Sequence, residues 1–342
     1  MSRSKVANLL IVGFDGISNF SLNNYFKNLI TSYELGGVIL FKRNIENLEQ
    51  LVELMNWILS TSPNIITSID QEGGRVARLK GISTDIAPMS FVKTTKEALK
   101  VGNILGSELR SLGFNLDFAP VCDIVVNPNN QVIGDRSFSD DANIVSLMVP
   151  YIIQGLKENL VASCAKHFPG HGDTAIDSHL DLPLVSTDKE VIFSRELLPF
   201  KKAIESGVDT IMTAHLIAKN LDAQWPATMS SIILNDILRE KLQFKNIIIS
   251  DDLEMKAVAD NYDLELILQK SLEASVNMFI IAKDEQLIDN ALDILERFYN
   301  KDAKLRLLIE NSIAKVNQLK SHYKFAKKPQ VEYAKQVIKN NN

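Results

Sequence analysis

The feature of this chain that most constrains its fold is a regular alternation of short β-rich runs with stretches of helical periodicity. Eight apolar runs follow one another at residues 9–13, 37–41, 65–69, 114–118, 161–165, 210–214, 247–250 and 278–282. Stretches with apolar residues at helical spacing lie between them, at residues 48–59, 98–112, 145–156 and 264–272. Near-continuously apolar strands are buried on both faces, and a crossover helix after each strand makes neighbouring strands parallel. Eight such units predict an α/β fold of the (β/α)8 TIM-barrel type.

An open, doubly wound sheet is the alternative arrangement of the same elements. Its glycine fingerprint is missing, because the first run continues as GFDGIS rather than GxGxxG. No Pro/Gly/Ser linker divides the chain, so residues 1–326 are predicted to form a single domain. Extra C-terminal helices are expected at 285–299 and 303–319, followed by a polar tail at 327–342.

Composition narrows the class of protein. Of the 342 residues, 46% are hydrophobic and 23% are charged, and the net charge is −5. This profile is typical of a soluble globular protein, and the lack of a basic stripe argues against nucleic acid as a partner. Cys122 and Cys164 lie in apolar sequence and are expected to be buried free thiols. The N-terminal run lacks a signal-peptide cleavage site and no run reaches transmembrane length, so a cytoplasmic location without membrane attachment is expected.

The segment KHFPGHGDTAIDSH, residues 166–179, holds three of the chain's five histidines. It follows a buried-strand pattern, and Pro169, Gly170 and Gly172 prevent a regular helix there. These side chains therefore lie on a loop that leaves a strand, where binding and catalytic groups concentrate. A solvated turn without function is the competing interpretation.

Other polar residues follow the same rule of position. They come at the C-terminal ends of five predicted strands: Asp70, Asp117 and Asp123, Lys166 and His167, His215, and Asp251 and Asp252. The active site of a TIM barrel is built at this end, so their convergence predicts a reaction centre rather than a network that only stabilises the fold.

Several chemistries can be weighed against these residues. His167, His171 and His179 could ligate a metal, but Pro169 and Gly170 deny them the helical face that such spacing exploits. No GxSxG motif supports acyl transfer. A carboxylate at a strand end, Asp251, facing a loop that carries Asp177 and His179, suits the cleavage of a glycosidic bond.

Motifs spread over most of the chain resemble glycoside hydrolase family 3, and specifically its single-domain bacterial β-N-acetylglucosaminidases. They are GGVILFKRN, IDQEGGRVARL, IGDRSF, KHFPGHGDT followed by DSH, MTAHL, PATMS and ISDDLEM. The chain departs from the family in having Ser275, Val276 and Asn277 before the eighth strand, which concerns packing. It also lacks the second domain that supplies the acid/base group in larger members, so the DSH loop is expected to supply it.

The resemblance implies roles for particular residues. Asp251 is the nucleophile of a retaining mechanism, and His179, oriented by Asp177, is the acid/base group. The sugar ligands implied are Asp70, Arg78, Arg136, Lys166 and His167, and no metal or organic cofactor is needed. His171, Asp173 and His215 either shape loops or touch substrate, and Asp252 is expected at a helix N-terminus.

The resemblance also implies a substrate. It is a terminal β-linked N-acetylglucosamine on a small saccharide or muropeptide fragment, removed during peptidoglycan recycling by a monomeric enzyme. A β-glucosidase or another β-hexosaminidase of the family is the alternative within enzymes, and a catalytically inactive sugar-binding barrel is the alternative outside them. A histidine acid/base places no negative charge beside an incoming anion, so phosphate as well as water is a possible acceptor.

Overall fold

The computed structural model describes residues 2–127, 129–174 and 182–341. Eight parallel strands form a closed barrel in which each strand pairs with the next and the last pairs with the first. The strands are β1 Leu10–Val12, β2 Gly37–Leu40, β3 Ile66–Ile69, β4 Leu116–Asp117, β5 Ala162–Phe168, β6 Thr210–Thr213, β7 Ile247–Asp252 and β8 Met278–Ile281. The predicted TIM barrel is confirmed.

The barrel interior explains why its strands are so uniformly apolar. Side chains from alternate positions fill the centre, among them Ile11, Ile39, Leu116, Met212 and Ile249, while the other positions pack outward against the helices. Both faces of each strand are therefore dry, which is why the sequence shows continuous apolar runs instead of a period of two. A packed interior of this kind leaves function to the loops at the ends of the strands.

Helices surround the barrel and close its lower end. They are α1 Ser2–Val6, α2 Asn24–Ser32, α3 Leu48–Thr61, α4 Thr95–Leu112, α5 Ala142–Glu158, α6 Leu197–Glu205, α7 Lys256–Ala259, α8 Leu264–Glu273, α9 Glu285–Lys301, α10 Ala303–Tyr323 and α11 Val331–Asn341. A short turn at Lys189–Val191 and π-helical hydrogen bonding at Ile192–Glu196 lead into α6, and a π-helix at Ile232–Lys241 follows β6. None of the helices in the described ranges has both the length and the apolar character needed to cross a bilayer.

Helix α10 lies under the N-terminal end of the barrel. Its Val316 and Tyr323 join the side chains of the barrel interior. The Tyr323 hydroxyl donates to Asp209 Oδ1 at 2.7 Å, and Asp209 Oδ2 accepts from the backbone N–H and the hydroxyl of Ser163, each at 3.0 Å. The closing helix therefore fixes the end of the barrel opposite to the polar strand ends.

The C-terminal residues differ from the polar tail expected at 327–342. Residues Val331–Asn341 form α11, which packs on α3 and α4 with Ala334 fully buried. Lys335 forms an ion pair with Glu49 at 2.7 Å, and Asn341 donates to Glu108 at 3.0 Å. The lysines lie on the outer side of this helix, and its inner side packs on α3 and α4. The polar composition of the segment therefore did not indicate that it is packed against the domain. Cys122 and Cys164 are buried free thiols, as predicted.

Candidate active site

The C-terminal end of β3 begins the site. Asp70 follows the strand, and a short hairpin formed by Gln71–Gly73 and Val76–Ala77 carries the chain back so that Arg78 lies beside it. Asp70 Oδ1 accepts from Lys166 Nζ at 2.8 Å, and Oδ2 lies 3.4 Å from Arg78 Nη2. Burial raises the pKa of the Asp70 carboxyl, but Lys166 and Arg78 outweigh that effect and hold its pKa below the usual value. Asp70 is therefore ionised at neutral pH.

Glu72 extends this cluster to a chain of alternating charges. Its carboxylate lies 2.5 Å from Lys166 Nζ and accepts from Arg136 Nε and Nη2 at 2.8 and 2.7 Å. Arg78, Asp70, Lys166, Glu72 and Arg136 thus follow one another in contact. Burial opposes ionisation of Glu72, but Arg136 and Lys166 hold its pKa far below the usual value. Three cations and two anions leave this wall of the site with a net positive charge.

Asp123 organises the start of the loop after β5. Its buried carboxylate accepts from the ring Nδ1 of His167 at 2.7 Å and from the backbone N–H groups of His167 and His171 at 3.2 and 2.7 Å. Burial raises the pKa of Asp123, but His167 and the other donors outweigh it, so the carboxyl is ionised. Burial and the neighbouring His167 lower the pKa of His171. Because Nδ1 of His167 is engaged, its Nε2 is the ring nitrogen left for a ligand.

The loop after β4 holds the same segment by shape. A Cβ atom on Gly172 would lie 1.7 Å from the carbonyl oxygen of Ile124, so only glycine fits there. Asn130 donates to the carbonyl oxygen of His171 at 2.8 Å and to the Thr174 hydroxyl at 3.2 Å. The segment from Lys166 to Thr174, the last described residue of this loop, is therefore held against the loop after β4.

Asp117 lies beneath the charged wall. Its Oδ1 accepts the backbone N–H of Gln71 at 3.0 Å, and Oδ2 has no hydrogen-bond partner among the described residues. Burial raises the pKa of Asp117 well above the usual value. Through its bond to Gln71 it supports the hairpin after β3.

The end of β7 supplies Asp251 and Asp252. Asp251 Oδ1 accepts the backbone N–H of Asp252 at 2.8 Å. Asp252 lies within the strand rather than at the expected helix N-terminus, and its Oδ1 accepts the backbone N–H groups of Glu254 and Ala282 at 3.1 and 3.2 Å. Burial, with Glu254 and Asp251 nearby, raises the pKa of Asp252 to about 7. Asp252 therefore ties β7 to β8, a bond that positions Asp251.

His215, at the end of β6, has a shaping position of the same kind. Its Nδ1 lies 2.8 Å from the Thr228 hydroxyl, and its Nε2 lies 3.1 Å from the carbonyl oxygen of Asp252. With a buried side chain and these contacts to the backbone and to Thr228, it braces the β7 end. Of the two roles expected for His215, the structure favours shaping the loop.

A cavity of about 240 Å³ opens at these strand ends. Six of the predicted site residues line it: Asp70, Arg78, Arg136, Lys166, His167 and Asp251. Apolar side chains also line it: Ile39, Phe41, Val76, Phe118, Val132, Met212, Met255 and Ile280. Asp252 and His171 border it as well, so the cavity presents the charged wall, apolar surface and, at the end of β7, the carboxyl groups of Asp251 and Asp252. A larger groove of about 860 Å³ lies outside the barrel against α5 and α6, away from these residues.

The predicted acid/base pair, Asp177 and His179, lies outside the described residues. The nearest described residues on either side are Thr174 and Leu182. Asp173 accepts a hydrogen bond from Thr187, so these two ends of the segment lie close together. Within residues 2–127, 129–174 and 182–341, no three His, Cys, Asp or Glu side chains are grouped to hold a metal ion.

Sequence reasoning missed Glu72 and did not foresee the role of Asp123. Glu72 lies inside the motif that supplied Asp70 and Arg78, and its partners Lys166 and Arg136 were both named, yet their pairing needs the fold to be seen. Asp123 was recognised as a strand-end carboxylate but not as the partner of His167. A signal was available for Glu72, since an acidic residue flanked by two glycines and an arginine is out of place in a simple hairpin.

Comparisons with known proteins decide the family. The family model described as "Glycosyl hydrolase family 3 N terminal domain" matches residues 1–319 of this chain. The chain belongs to glycosyl hydrolase family 3. The family resemblance found in the sequence is thereby confirmed.

The relatives of this family 3 protein include proteins of similar length and longer proteins. A beta-hexosaminidase A of Pseudoalteromonas piscicida is 35% identical over 86% of this chain, which spans only 52% of that relative. A beta-hexosaminidase of Haemophilus influenzae is 35% identical, covering 83% of this chain and 85% of its own. The solved structure of NagZ from Neisseria gonorrhoeae, in complex with N-trifluoroacetyl-D-glucosamine, is 28% identical with a TM-score of 0.81, covering 96% and 92% of the two chains.

Proposed function

We propose that this family 3 protein is a retaining exo-β-N-acetylglucosaminidase. One observation carries the proposal: the same cavity is lined by the charged wall, whose side chains can bind hydroxyl groups, and by the carboxylate of Asp251 at the end of β7. Relatives named beta-hexosaminidase and a structural neighbour bound to a glucosamine derivative support the same assignment. Glycoside hydrolysis of the retaining type requires a carboxylate nucleophile and a separate acid/base group.

The charged wall suits the hydroxyls of a terminal sugar. Asp70 accepts hydrogen bonds, whereas Arg78, Lys166 and His167 can donate them, so adjacent hydroxyl groups find both kinds of partner. A sugar that lacks one hydroxyl would leave a buried charged group unpaired, which is costly. At about 240 Å³ the cavity is smaller than pockets for drug-sized ligands, so it admits one sugar residue, as exo-action requires.

The proposed chemistry follows from the position of Asp251. Its carboxylate attacks the anomeric carbon and forms an ester bond, while the bond from that carbon to the leaving oxygen breaks. His179, oriented by Asp177, gives a proton to the leaving oxygen and then takes one from the water that cleaves the ester. An imidazole titrates near neutral pH without tuning, which suits both steps.

The physiological assignment extends this proposal. The substrate is a muropeptide fragment with terminal β-linked N-acetylglucosamine, cleaved in the cytoplasm by a monomer during peptidoglycan recycling. The proposed steps need only a carboxylate nucleophile and an acid/base group, both supplied by side chains, so the proposal includes no metal and no organic cofactor.

A panel of nitrophenyl β-glycosides tests the proposal. We expect rapid release of nitrophenol from the N-acetyl-β-glucosaminide, unaffected by a chelator, with much slower release from the β-glucoside and the N-acetyl-β-galactosaminide. The glucoside tests the need for the acetamido group, and the galactosaminide tests the orientation of one hydroxyl. Faster cleavage of the glucoside would make the chain a β-glucosidase, and no cleavage of any member by folded protein would favour a sugar-binding role.

A further inference from the structure

A group of cations follows the strand ends at the end of the barrel where the cavity opens. The side chains are Lys42, Arg43, Lys80 and Lys283, which we call the cationic arc. Lys42 and Arg43 follow β2, Lys80 follows the hairpin after β3, and Lys283 follows β8. Because β8, β1, β2 and β3 are consecutive in the barrel, the four cations occupy one continuous sector of the rim. That sector begins at the strand beside β7, which carries Asp251.

Neighbouring acidic groups do not balance this charge. Asp15 forms an ion pair with Arg43 at 2.8 Å and lies 3.9 Å from Lys283. Glu254, which accepts the backbone N–H groups of Lys283 and Asp284, and Asp284, which caps α9, add two negative charges near Lys283. These three carboxylates are one fewer than the four cations, and they lie at Arg43 and Lys283.

Two lysines of the arc are left without an acidic partner. Lys42 Nζ contacts the carbonyl oxygen of Lys80 at 3.5 Å, and both side chains are exposed. Across the described ranges, neither Lys42 nor Lys80 forms an ion pair. The whole chain carries a net charge of −5, so a surplus of cations beside the cavity is a local reversal of its charge.

The arc is one side chain away from the cavity. Phe41 lines the cavity, and the guanidinium carbon of Arg43 lies 4.5 Å from the centroid of its ring. The guanidinium carbon of Arg78 lies 5.9 Å from the same centroid. Phe41 therefore lies between Arg43 of the arc and Arg78 of the charged wall. The arc is thus next to the cavity at the end of the barrel where a substrate larger than one sugar would extend.

We propose that the cationic arc binds a carboxylate on the leaving group of the substrate. This inference rests on the proposed function, because it assigns the part of the substrate that lies beyond the cleaved bond. Exposed lysines attract an anion over several ångströms and leave it solvated, which suits a leaving group that must depart after cleavage. Arg43 is held by Asp15 and by the carbonyl oxygens of Phe14 and Ala282, so Lys42 and Lys80 are the members free to meet the anion.

Two substrates that differ only in this charge test the inference. They are the disaccharide N-acetylglucosaminyl-β-1,4-N-acetylmuramic acid and the methyl ester of its lactyl carboxylate. The quantity measured is the ratio of kcat/KM for the acid to kcat/KM for the ester. Both are measured on one preparation, so the ratio does not depend on the fraction of protein that is folded.

The unmodified chain is expected to favour the acid by about fivefold at low salt, because exposed ion pairs each contribute about two- to fivefold. The ratio should approach one as salt screens the arc. The double variant Lys42→Ala/Lys80→Ala should lose most of the preference, whereas Lys42→Arg/Lys80→Arg should keep it. Lys202→Ala removes an exposed lysine on α6, away from the rim, and should leave the ratio unchanged.

The outcomes separate the inference from the proposed function. Cleavage of both disaccharides with a ratio near one in the unmodified chain would overturn the inference and leave the glycosidase assignment standing. A preference for the acid that persists in the double alanine variant would also overturn it. Failure to cleave either disaccharide or the nitrophenyl N-acetyl-β-glucosaminide would overturn the proposed function, and the inference with it.

Discussion

At the scale of single residues, the side chains predicted to touch the sugar are held by carboxylates that do not line the cavity. Asp123 accepts three N–H groups from His167 and His171, and Glu72 contacts both Lys166 and Arg136. Such partners set the orientation of a binding group and its charge. The arrangement makes Asp123 a positioning residue rather than a catalytic one.

Replacing Asp123 tests this role. We expect Asp123→Asn to lower kcat/KM on the nitrophenyl substrate by about 10- to 100-fold, because a buried charged acceptor of three N–H groups is lost. Most of the loss should appear in KM, since His167 would no longer be held toward the sugar. Asp209→Asn, a partly buried carboxylate at the opposite end of the barrel, is the matched control and should change stability alone. A kcat/KM for folded Asp123→Asn within twofold of the unmodified value would refute the role.

The sequence predicted which residues of the described site meet, but not how they pair. Asp70, Lys166, His167 and Asp251 could be placed because the C-terminal ends of barrel strands converge on one face. Glu72 could not, because its partners come from loops far apart in sequence. Asp252 shows a related limit: an aspartate after a strand suggests a helix cap, yet it accepts the backbone N–H groups of Glu254, in its own turn, and of Ala282, directly after β8.

At the scale of elements, the π-helical turn Ile192–Glu196 carries a buried carboxyl beside the loop after β5. Glu196 Oε1 accepts from Arg195 at 2.7 Å, and Oε2 has no partner among the described residues. Burial raises the pKa of Glu196 to about 7, with Arg195 opposing the shift and Asp123 and Asp173 adding to it. The folded protein therefore holds a proton on Glu196 at pH values where the unfolded chain does not.

This raised pKa makes stability depend on pH in a definite direction. Its contribution is fully present below the ordinary glutamate pKa and is lost as pH rises through about 7. Glu196→Gln should match the unmodified protein near pH 5 and exceed it near pH 8 by about 1 to 3 kcal/mol in the free energy of unfolding. Urea unfolding at the two pH values measures this difference. An equal difference at both values would show that Glu196 does not titrate on folding.

Helix α11 is an element that the sequence analysis did not predict. Val331, Ala334 and Ile338 have the spacing of one helical face, but lysines and asparagines around them suggested a tail. Its docking on α3 and α4 could not be predicted, because the receiving surface, which includes Gly113 beside the docked Pro329, is formed only by the fold.

Burying a charge on the inner face of α11 tests its docking. Ala334→Asp should lower Tm by several degrees, since an unpaired carboxylate would enter a dry contact. Gln336→Asp places the same side chain on the exposed face of the helix and is the matched control. Equal Tm values for the two variants would mean that α11 does not contribute to stability. Catalysis well below Tm should be preserved in both, because α11 packs outside the barrel.

At the scale of the whole molecule, the barrel could be predicted because a single unit, a buried strand followed by a helix, repeats along the chain. Eight buried strands and their helices leave a strong periodic pattern, and the active-site face follows from the topology alone. The division of labour within the molecule follows too: α10 closes one end of the barrel, and the other end collects the charged wall, Asp251 and the cationic arc. The pKa shifts of the site carboxyl groups could not be predicted from the sequence, because they depend on burial and on distances between loops.

The most direct measurement of the central claim is azide rescue of a variant that lacks the proposed nucleophile. Asp251→Ala should lose activity on the nitrophenyl N-acetyl-β-glucosaminide by about three orders of magnitude or more. Added azide should restore nitrophenol release and give the α-glycosyl azide, identified by nuclear magnetic resonance, because azide takes the place of the missing carboxylate. Hydrolysis by Asp251→Ala at a rate near that of the unmodified protein, or a β-glycosyl azide as the product, would contradict the assignment of Asp251.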